Sequence, residues 1–226
     1  MQNFDIVKKA EIEKTFRVAR IMGDFDVKEE HVNERFTGEV ELPDKWQIGA
    51  IVGQSGTGKT TIAKELFGDA YITSFEYKAK SVIDDMPKQC KIDDIELMFY
   101  AVGFGSVPSW LKPYNVLSNG EKMRVDLARA LLERDFVVFD EFTSVVDRQV
   151  AQTACLAISK CIKRNPNKKI VVVSCHNDIL EWLQPDWIFD TDTMTSFFMT
   201  GYVHQKNLQS MNVAETNGQN FDAITI

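Results

Sequence analysis

The sequence contains no apolar run that approaches the roughly 18 residues a helix needs to cross a membrane. Residues 1–5 lack the basic start and apolar centre of a signal peptide. The four cysteines show no C-x-x-C spacing, which disfavours a structural metal site. Scattered cysteines without an export signal indicate reduced thiols, so we expect a cytoplasmic protein with no transmembrane segment of its own.

An excess of positive charge is also missing. The chain has 33 Asp and Glu residues against 26 Lys and Arg residues, a formal net charge of −7. This balance disfavours a broad nucleic-acid surface, although a local basic strip is compatible with it. With 226 residues, 44% of them hydrophobic, the chain can bury a full core. We expect one domain over residues 1–204 and a polar, flexible tail at 205–226.

The sequence does contain a complete phosphate-binding loop pattern, G-x-x-x-x-G-K-[ST], at residues 53–60. It follows an apolar run and precedes a helix-like segment, which is the context the pattern requires. Glycines let successive N–H groups face one anion, Lys59 can reach the β- and γ-phosphates, and the Thr60 hydroxyl can bind Mg²⁺. A ligand-free glycine-rich turn is the weaker alternative. The residues expected to bind nucleotide here are Gly53, Ser55, Gly56, Thr57, Gly58, Lys59, Thr60 and Thr61.

Asp140 and Glu141 follow a fully apolar segment at residues 136–139, of the kind found in parallel sheets covered on both faces. A carboxylate at the end of such a strand, near a phosphate loop, is placed to hold Mg²⁺ through its water shell. The adjacent glutamate can orient and deprotonate the attacking water. An Asp-Glu pair that merely caps a turn is common, but beside a phosphate loop the pair indicates a hydrolytic site.

Periodicity predicts an α/β fold in which helices and strands alternate. In addition to the helix after the phosphate loop, we expect helices at residues 6–22, 92–102, 121–132, 146–162 and 178–183. We expect strands at residues 36–42, 48–52, 70–75, 81–83, 136–139, 169–174, 187–189 and 196–203, and a loop at 103–116.

Residues 117–121 read Leu-Ser-Asn-Gly-Glu and open a helix that contains Ala-Arg-Ala-Leu. This segment lies between the phosphate loop and the Asp-Glu strand. In sequence and position it resembles the signature segment of the ATP-binding cassette (ABC) ATPases. Asp147, at the end of Ser-Val-Val-Asp, matches that family's loop after the second carboxylate. His176, after an apolar strand-like run, matches its switch histidine. These elements cover residues 53–176 in the family's order, which makes the resemblance specific.

The resemblance implies an α/β P-loop NTPase fold of the ABC type. Such a fold has a parallel core sheet flanked by helices, a small antiparallel β part and, here, a shortened helical subdomain at about residues 85–130. The resemblance also implies ATP and Mg²⁺ as cofactors and an ATP-dependent homodimer that sandwiches two ATP molecules head to tail.

The same resemblance implies a role for each matching residue. Lys59, Glu141 and His176 are the expected catalytic residues. Ser118 and Gly120 are expected to reach the γ-phosphate held by the other chain, at a helix N-terminus that favours anions. Asp147 is expected to contribute to nucleotide binding.

Several positions depart from the family pattern. Asn119 stands where the family has the first of two glycines, and asparagine tolerates left-handed backbone. The family's metal-sensing glutamine has no clear match: Asp84, after the strand-like residues 81–83, and Gln89 are both candidates. We place Asp84 in the metal set with Thr60 and Asp140. For the aromatic residue that stacks on adenine, Phe25 and Phe36 are candidates, with core packing as the alternative for each.

The leading functional hypothesis is a soluble ATPase whose ATP-driven dimerisation works a protein partner or a nucleic acid. Residues 16–19, Phe-Arg-Val-Ala, and the spacing around the signature resemble small prokaryotic and viral cassettes, some fused to a predicted acetyltransferase. An acetyltransferase is therefore one expected partner, and a viral origin would place the protein in the host cytoplasm. The alternative is the ATP-binding subunit of a membrane transporter, which the short helical subdomain disfavours. A P-loop kinase is the weakest hypothesis, because the signature helix and switch histidine have no purpose there.

Overall fold

Two β-sheets form the framework of the protein, of which the computed structural model describes residues 1–28, 32–144 and 146–199. Strands β1 (Gln2–Lys8) and β2 (Glu34–Val40) pair as an antiparallel ribbon. The main sheet contains β3 (Ile48–Val52), β4 (Phe136–Phe139), β5 (Lys169–Ser174), β6 (Trp187–Asp190) and β7 (Thr195–Phe198). Its order is β4-β5-β3-β6-β7; the first four strands are parallel and β7 is antiparallel to β6.

The connections between the strands are mainly helical. The helices are α1 (Phe16–Asp24), α2 (Lys59–Phe67), α3 (Ile92–Ala101), α4 (Val107–Trp110), α5 (Asn119–Glu133), α6 (Arg148–Arg164) and α7 (Ile179–Leu183). Short 3₁₀ turns lie at Gly68–Ala70, Val82–Asp85 and Tyr114–Val116. Among the helices in the described ranges, none is long and apolar enough to span a membrane.

β3 is buried along its whole length and separates two apolar layers. Ala50 and Val52 join a cluster that α3, α5, α6 and α7 build on one face of the sheet. Ile51 joins a second cluster, with α2 and the ribbon, on the other face. This division follows from the two-residue period of a strand. Because both faces of the parallel strands are covered, their sequences are continuous apolar runs rather than alternating ones.

The helical part between β3 and β4 is held by aromatic packing and one buried carboxylate. The ring of Phe99 packs against Trp110 at 5.3 Å, and Nε1 of Trp110 donates to the carbonyl oxygen of Phe104 at 2.8 Å. On α5, Asp126 accepts hydrogen bonds of 2.7 Å from the hydroxyls of Tyr77 and Tyr114, whose rings stack 3.9 Å apart. Burial raises the pKa of the Asp126 carboxyl, although both hydroxyls oppose the shift.

Most expected elements form, but three local predictions are wrong. Residues 6–22 do not form one helix: β1 ends at Lys8 and α1 begins at Phe16. β1 is held by pairing with β2, a partner that local periodicity does not reveal. Residues 70–75 contribute only an isolated bridge between Tyr71 and Val138, and Val82–Asp85 is a 3₁₀ turn, not a strand.

Other differences concern the ends of elements. The loop expected at residues 103–116 contains the short helix α4 and a 3₁₀ turn. The last strand ends at Phe198, and residues 200–203 of the expected strand lie outside the described part. The expected tail at 205–226 also lies outside the described residues.

Candidate functional site

The carboxyl ends of three parallel neighbouring strands carry the main site residues. β3 leads into the phosphate loop, β4 leads into Asp140 and Glu141, and His176 follows β5 by two residues. β5 lies between β4 and β3, so these strand ends meet at one edge of the sheet. In open α/β sheets this edge is where ligands bind.

The phosphate loop has a backbone shape that its glycines permit. Gly56 and Gly58 have φ angles of 88° and 85°, in the left-handed region. A Cβ atom on Gly58 would lie 2.5 Å from Cε1 of Phe36, so the ring leaves no room for a side chain there. Lys59 donates from Nζ to the carbonyl oxygen of Gln54 at 2.5 Å. The lysine ammonium thus lies across the loop at the N-terminus of α2, where backbone N–H groups and positive charge favour a phosphate.

The other expected nucleotide contacts are distributed around this loop. Ser55 is exposed on the loop, and Thr61 is half-buried in the first turn of α2. Phe36 is half-buried and packs in the second apolar cluster, whereas Phe25 is 71% exposed. The structure therefore gives Phe36 a packing role over Gly58, and the identity of the adenine contact stays a prediction.

Asp140 is held at both carboxylate oxygens. Thr60 Oγ1 donates to Oδ2 at 2.7 Å, and the Tyr71 hydroxyl donates to the same oxygen. The backbone N–H of Glu141 donates to Oδ1 at 2.8 Å. Burial, reinforced by the hydrogen bond to Asp140, raises the pKa of the Tyr71 hydroxyl, so it remains a donor. Hydroxyl and carboxylate oxygens are the ligands Mg²⁺ prefers, so the Thr60–Asp140 pair fits that ion.

Glu141 lies on an unusual backbone at the end of β4. Its φ is 52° and that of Thr143 is 66°, a region that residues other than glycine seldom adopt. Phe142 anchors this turn by donating its N–H to the carbonyl oxygen of Val173 at 2.9 Å. Within the described part of the chain the exposed Glu141 side chain makes no hydrogen bond. Its carboxylate is therefore available to accept a proton from a water molecule.

Ser118 caps the N-terminus of α5. Its Oγ donates to Oε2 of Glu121 at 2.9 Å and accepts from the Glu121 N–H at 3.3 Å. Glu121 also accepts from Ser109 Oγ at 2.7 Å and from the Ser118 N–H at 2.9 Å, and these bonds, led by Ser109, lower its pKa. Ser118 and Asn119 are exposed at the start of this 15-residue helix. The helix end is thus an outward-facing place for an anion.

Gly120, Asp147 and His176 have mainly local contacts. A Cβ atom on Gly120 would lie 3.1 Å from Cγ1 of Val150, so this glycine allows α5 to approach α6. Asp147 is the N-cap of α6, where it accepts from the Val150 N–H at 3.0 Å. His176 is half-buried, and its backbone N–H donates to Ser174 Oγ at 3.1 Å. Their nucleotide roles stay predictions.

Asp84 lies in a different environment from Thr60 and Asp140. It is exposed in the 3₁₀ turn, its Oδ2 accepts from Ser81 Oγ at 2.5 Å, and it lines a surface cavity with Lys88. No hydrogen bond in the described ranges joins it to Asp140. The strand from which its position was inferred does not form, and its role as a metal ligand stays a prediction. Gln89 is likewise exposed.

Thr191 and Asp192 support the phosphate loop but carry no motif that points to them. The hydroxyl oxygens of Thr191 and Thr57 lie 2.5 Å apart, and Thr191 also donates to the Val52 carbonyl oxygen at 3.1 Å. Asp192 Oδ1 accepts from the Gln54 N–H at 2.9 Å. A Cβ atom on Gly53 would lie 2.2 Å from Thr191 Oγ1. The turn after β6 therefore holds the start of the loop from the side.

A surface cavity adjoins the two strand-end carboxylates. Its volume is about 360 Å³, and its lining includes Asp140, Glu141, Tyr114, Asn119 and Lys122. It joins the strand-end carboxylates and the first turn of α5 in one open cavity, whose lining combines acidic, cationic and aromatic groups.

The class of protein follows from this fold and site together with a family match. The model of the ATPase family associated with various cellular activities (AAA) matches residues 50–188. The match covers more than half of the chain, and the chain belongs to this family.

Solved structures and curated relatives identify the cassette type. A bacterial ABC transporter cassette solved as a dimer has a TM-score of 0.55 and 16% identity, over 70% of this chain and 87% of the other. The cbiO1 protein of Clostridium perfringens, part of an ABC transporter complex, gives a TM-score of 0.59 at 16% identity, over 84% and 91%. The energy-coupling factor transporter ATP-binding protein EcfA1 of Staphylococcus aureus is 28% identical over 184 residues, 64% of this chain and 66% of that relative.

The chain therefore spans slightly less than two thirds of the length of that relative. The expectation of an α/β P-loop ATPase of the ABC type is confirmed. ATP and Mg²⁺ as its cofactors are confirmed with it, and a related cassette structure contains ADP and phosphate after hydrolysis.

Proposed function

We propose that this ATPase closes head to tail with a second copy around two Mg-ATP molecules and uses hydrolysis to work a separate partner. The observation that carries the proposal is the position of Ser118. It is exposed at the N-terminus of α5, and in the described residues its side-chain hydrogen bonds go only to Glu121. In the described residues no hydrogen bond joins this anion site to the chain's own phosphate loop, and the cavity beside it has no phosphate-loop residue in its lining. We therefore assign a nucleotide on a second copy as its ligand.

The residues around each ATP molecule have defined chemical roles in this proposal. The phosphate loop, with Lys59, binds the β- and γ-phosphates, and Thr60 and Asp140 would hold Mg²⁺, which supplies positive charge to them. Glu141 accepts the proton of the attacking water. The water oxygen forms a bond to the γ-phosphorus, and the bond between the γ-phosphorus and the bridging oxygen breaks. The bridging oxygen leaves with ADP. His176, beyond the neighbouring strand, is assigned to the γ-phosphate, and loss of that phosphate releases Ser118 of the second copy.

The partner is proposed to be a protein, with an acetyltransferase as one expected type, or a nucleic acid. The formal net charge of −7 favours a protein over a broad nucleic-acid surface. In this proposal ATP closes the dimer and hydrolysis opens it. The distance between the points at which the partner is attached therefore alternates between two values.

The test is the oligomeric state of Glu141→Gln. The substitution keeps the size and a hydrogen-bonding group but removes the base, so Mg-ATP should bind, remain intact and hold two chains together. Light scattering should give a dimer with Mg-ATP and a monomer without nucleotide. Glu96→Gln, an exposed position on α3, is the matched control and should hydrolyse ATP and stay predominantly monomeric. A Glu141→Gln protein that is monomeric at saturating Mg-ATP contradicts the proposal.

A second variant tests the head-to-tail arrangement. Ser118→Arg, added to Glu141→Gln, fills the anion site with a bulky cation and should return the protein to the monomer while each chain still binds ATP. If the double variant remains a dimer, the two copies do not meet through Ser118.

The relatives favour a second candidate function. The Staphylococcus aureus relative is a transporter ATP-binding protein by name, and cbiO1 is part of a transporter complex. By this likeness the chain would pair with separate membrane subunits. Washed membranes of cells that express the tagged chain provide the test: ATP-sensitive retention that survives high salt but not detergent favours a transporter subunit. Recovery entirely in the soluble fraction favours the first function.

A further inference from the structure

We propose that Tyr71 is a positioning residue of the metal site, whose hydroxyl fixes the Asp140 carboxylate in the orientation that receives Mg²⁺. The inference rests on binding of Mg-ATP at the phosphate loop and does not depend on dimerisation. Tyr71 lies outside every motif of the sequence, between the end of α2 and the helical part.

The backbone of Tyr71 is fixed relative to β4. The residue follows the 3₁₀ turn Gly68–Ala70 and forms a parallel bridge with Val138. The next residue, Ile72, donates its N–H to the Val138 carbonyl oxygen at 3.0 Å. Val138 lies on β4, two positions before Asp140, which follows the end of that strand. The tyrosine is therefore attached to the strand that presents the carboxylate.

The ring of Tyr71 is also held in place. It is half-buried and packs against the second apolar cluster, and Nζ of Lys64 on α2 lies 4.9 Å from its centroid. The hydroxyl at the end of this ring reaches Oδ2 of Asp140. A rigid aromatic side chain thus delivers one donor to one oxygen, at small cost in side-chain entropy.

The groups that donate hydrogen bonds to Asp140 differ in whether they are also expected to bind the metal. The Glu141 N–H fixes Oδ1, and Thr60 and Tyr71 both donate to Oδ2. Thr60 is itself expected to contribute its hydroxyl oxygen to the metal. Tyr71 is then the one side-chain donor, among the described residues, that holds Asp140 without belonging to the metal ligands. Groups that orient a ligand in this way commonly change metal affinity by about 10–100-fold when removed.

The experiment measures the Mg²⁺ requirement of nucleotide binding rather than turnover. A ribose-labelled fluorescent, non-hydrolysable ATP analogue is titrated with the parent and with Tyr71→Phe, once in EDTA and once over a range of Mg²⁺ concentrations. Tyr71→Phe keeps the ring and removes only the donor. The Mg²⁺ midpoint is the Mg²⁺ concentration that gives half of the maximal increase in affinity for the analogue. We expect this midpoint to be about tenfold higher for Tyr71→Phe than for the parent. The affinity in EDTA should stay within about twofold of the parent, because the phosphate loop is unchanged.

Two controls separate positioning from a general loss of stability. Tyr77→Phe removes another partly buried hydroxyl that donates to an aspartate, Asp126, at 2.7 Å. It should leave the Mg²⁺ midpoint within about twofold of the parent, even if thermal melting shows a similar loss of stability. In an Asp140→Asn background, adding Tyr71→Phe should change the midpoint by less than about twofold, because a residue that acts through Asp140 has no effect when the carboxylate is absent.

The outcomes distinguish this inference from the proposed function. A parent that binds the analogue with Mg²⁺, together with a Tyr71→Phe variant whose midpoint is unchanged, overturns the role of Tyr71 alone. Equal loss of affinity in EDTA and in Mg²⁺ also overturns it, since that result describes a damaged nucleotide site. A parent that binds the analogue without enhancement by Mg²⁺ overturns both the inference and the proposed metal site, and a parent that does not bind the analogue at all overturns the nucleotide site.

Discussion

The side-chain oxygens of Thr57 and Thr191 lie 2.5 Å apart, and this pair joins the phosphate loop to the turn that follows β6. Thr191 is 2% exposed, so its hydroxyl does not exchange this partner for solvent. Asp192 adds a hydrogen bond to the Gln54 N–H. The loop is thus anchored by a part of the chain far from it in sequence, in addition to the helix that continues from it.

Replacing Thr191 by valine should weaken nucleotide binding. The valine keeps the shape but removes a hydroxyl whose bonds to Thr57 and Val52 fix the loop. Loss of about 1 kcal/mol corresponds to about a fivefold higher Kd for ATP, measured by fluorescence titration. Thr193→Val is the matched control and should leave the Kd unchanged, since in the described residues the Thr193 hydroxyl forms a hydrogen bond only with that of Thr195, at an exposed turn. Equal Kd values for Thr191→Val and the parent would contradict this role.

Replacing Glu121 by glutamine should favour the ATP-bound dimer. The proton of Ser118 Oγ is committed to the Glu121 carboxylate, and that negative charge stands beside the proposed anion site. An amide is neutral, so it removes this negative charge, while its oxygen can still accept from the Ser118 N–H. In the Glu141→Gln background the protein concentration at half-dimerisation should fall about threefold or more, as for a modest charge effect. A rise in that concentration would show that Glu121 supports the site instead.

The stability of the helical part should depend on pH through Asp126. Its folded pKa lies above the unfolded value of 3.8, chiefly because of burial. Between the two values the folded state binds more protons than the unfolded state, so this group's contribution falls as pH rises. Melting temperatures of the parent relative to Asp126→Asn should therefore decrease as pH rises from about 4, in the acidic range. A difference that does not change with pH in this range would contradict the assignment to Asp126.

Two glycine-to-alanine substitutions should change the free energy of unfolding in opposite directions. A Cβ atom on Gly49 in β3 would lie 2.2 Å from the Trp187 ring, so Gly49→Ala should lower the free energy of unfolding by about 1–3 kcal/mol through overpacking. Gly23 in α1 has no atom within 4 Å of such a Cβ, and alanine there favours the helix by up to about 1 kcal/mol. Denaturant titration measures both. A stable Gly49→Ala protein would mean that the Trp187 ring can move aside.

The sequence predicts the fold well where the signal is local. The apolar runs of β3, β4 and β5, and the phosphate loop with the helix that follows it, are visible without tertiary information because period and motif are contained in the segment. Local periodicity wrongly predicts helix at the end of β1, because the partner of this strand, β2, lies beyond α1. A strand whose stability comes from a distant neighbour has no distinctive period of its own.

The site residues also divide into those that a local motif predicts and those that only the folded structure brings to the site. Thr60 and Asp140 belong to motifs, and their 2.7 Å hydrogen bond agrees with what those motifs imply. Tyr71 and Thr191 act through a single hydroxyl each, and neither the residue type nor its spacing distinguishes it from many other surface and core positions. The position of Asp84 was inferred from a strand that does not form, because a short polar segment carries too little pattern to separate strand from 3₁₀ turn.

The order of strands in the main sheet has a consequence for synthesis of the protein. β3, which carries the phosphate loop, lies between β5 and β6, and both flanking strands come from the last third of the described chain. A ribosome releases the loop long before it releases the strands that hold β3 in place, or Thr191 that holds the loop. Nucleotide should therefore be unable to bind a nascent chain until residues up to about Thr195 have emerged, which delays the acquisition of ATP until the main sheet can form.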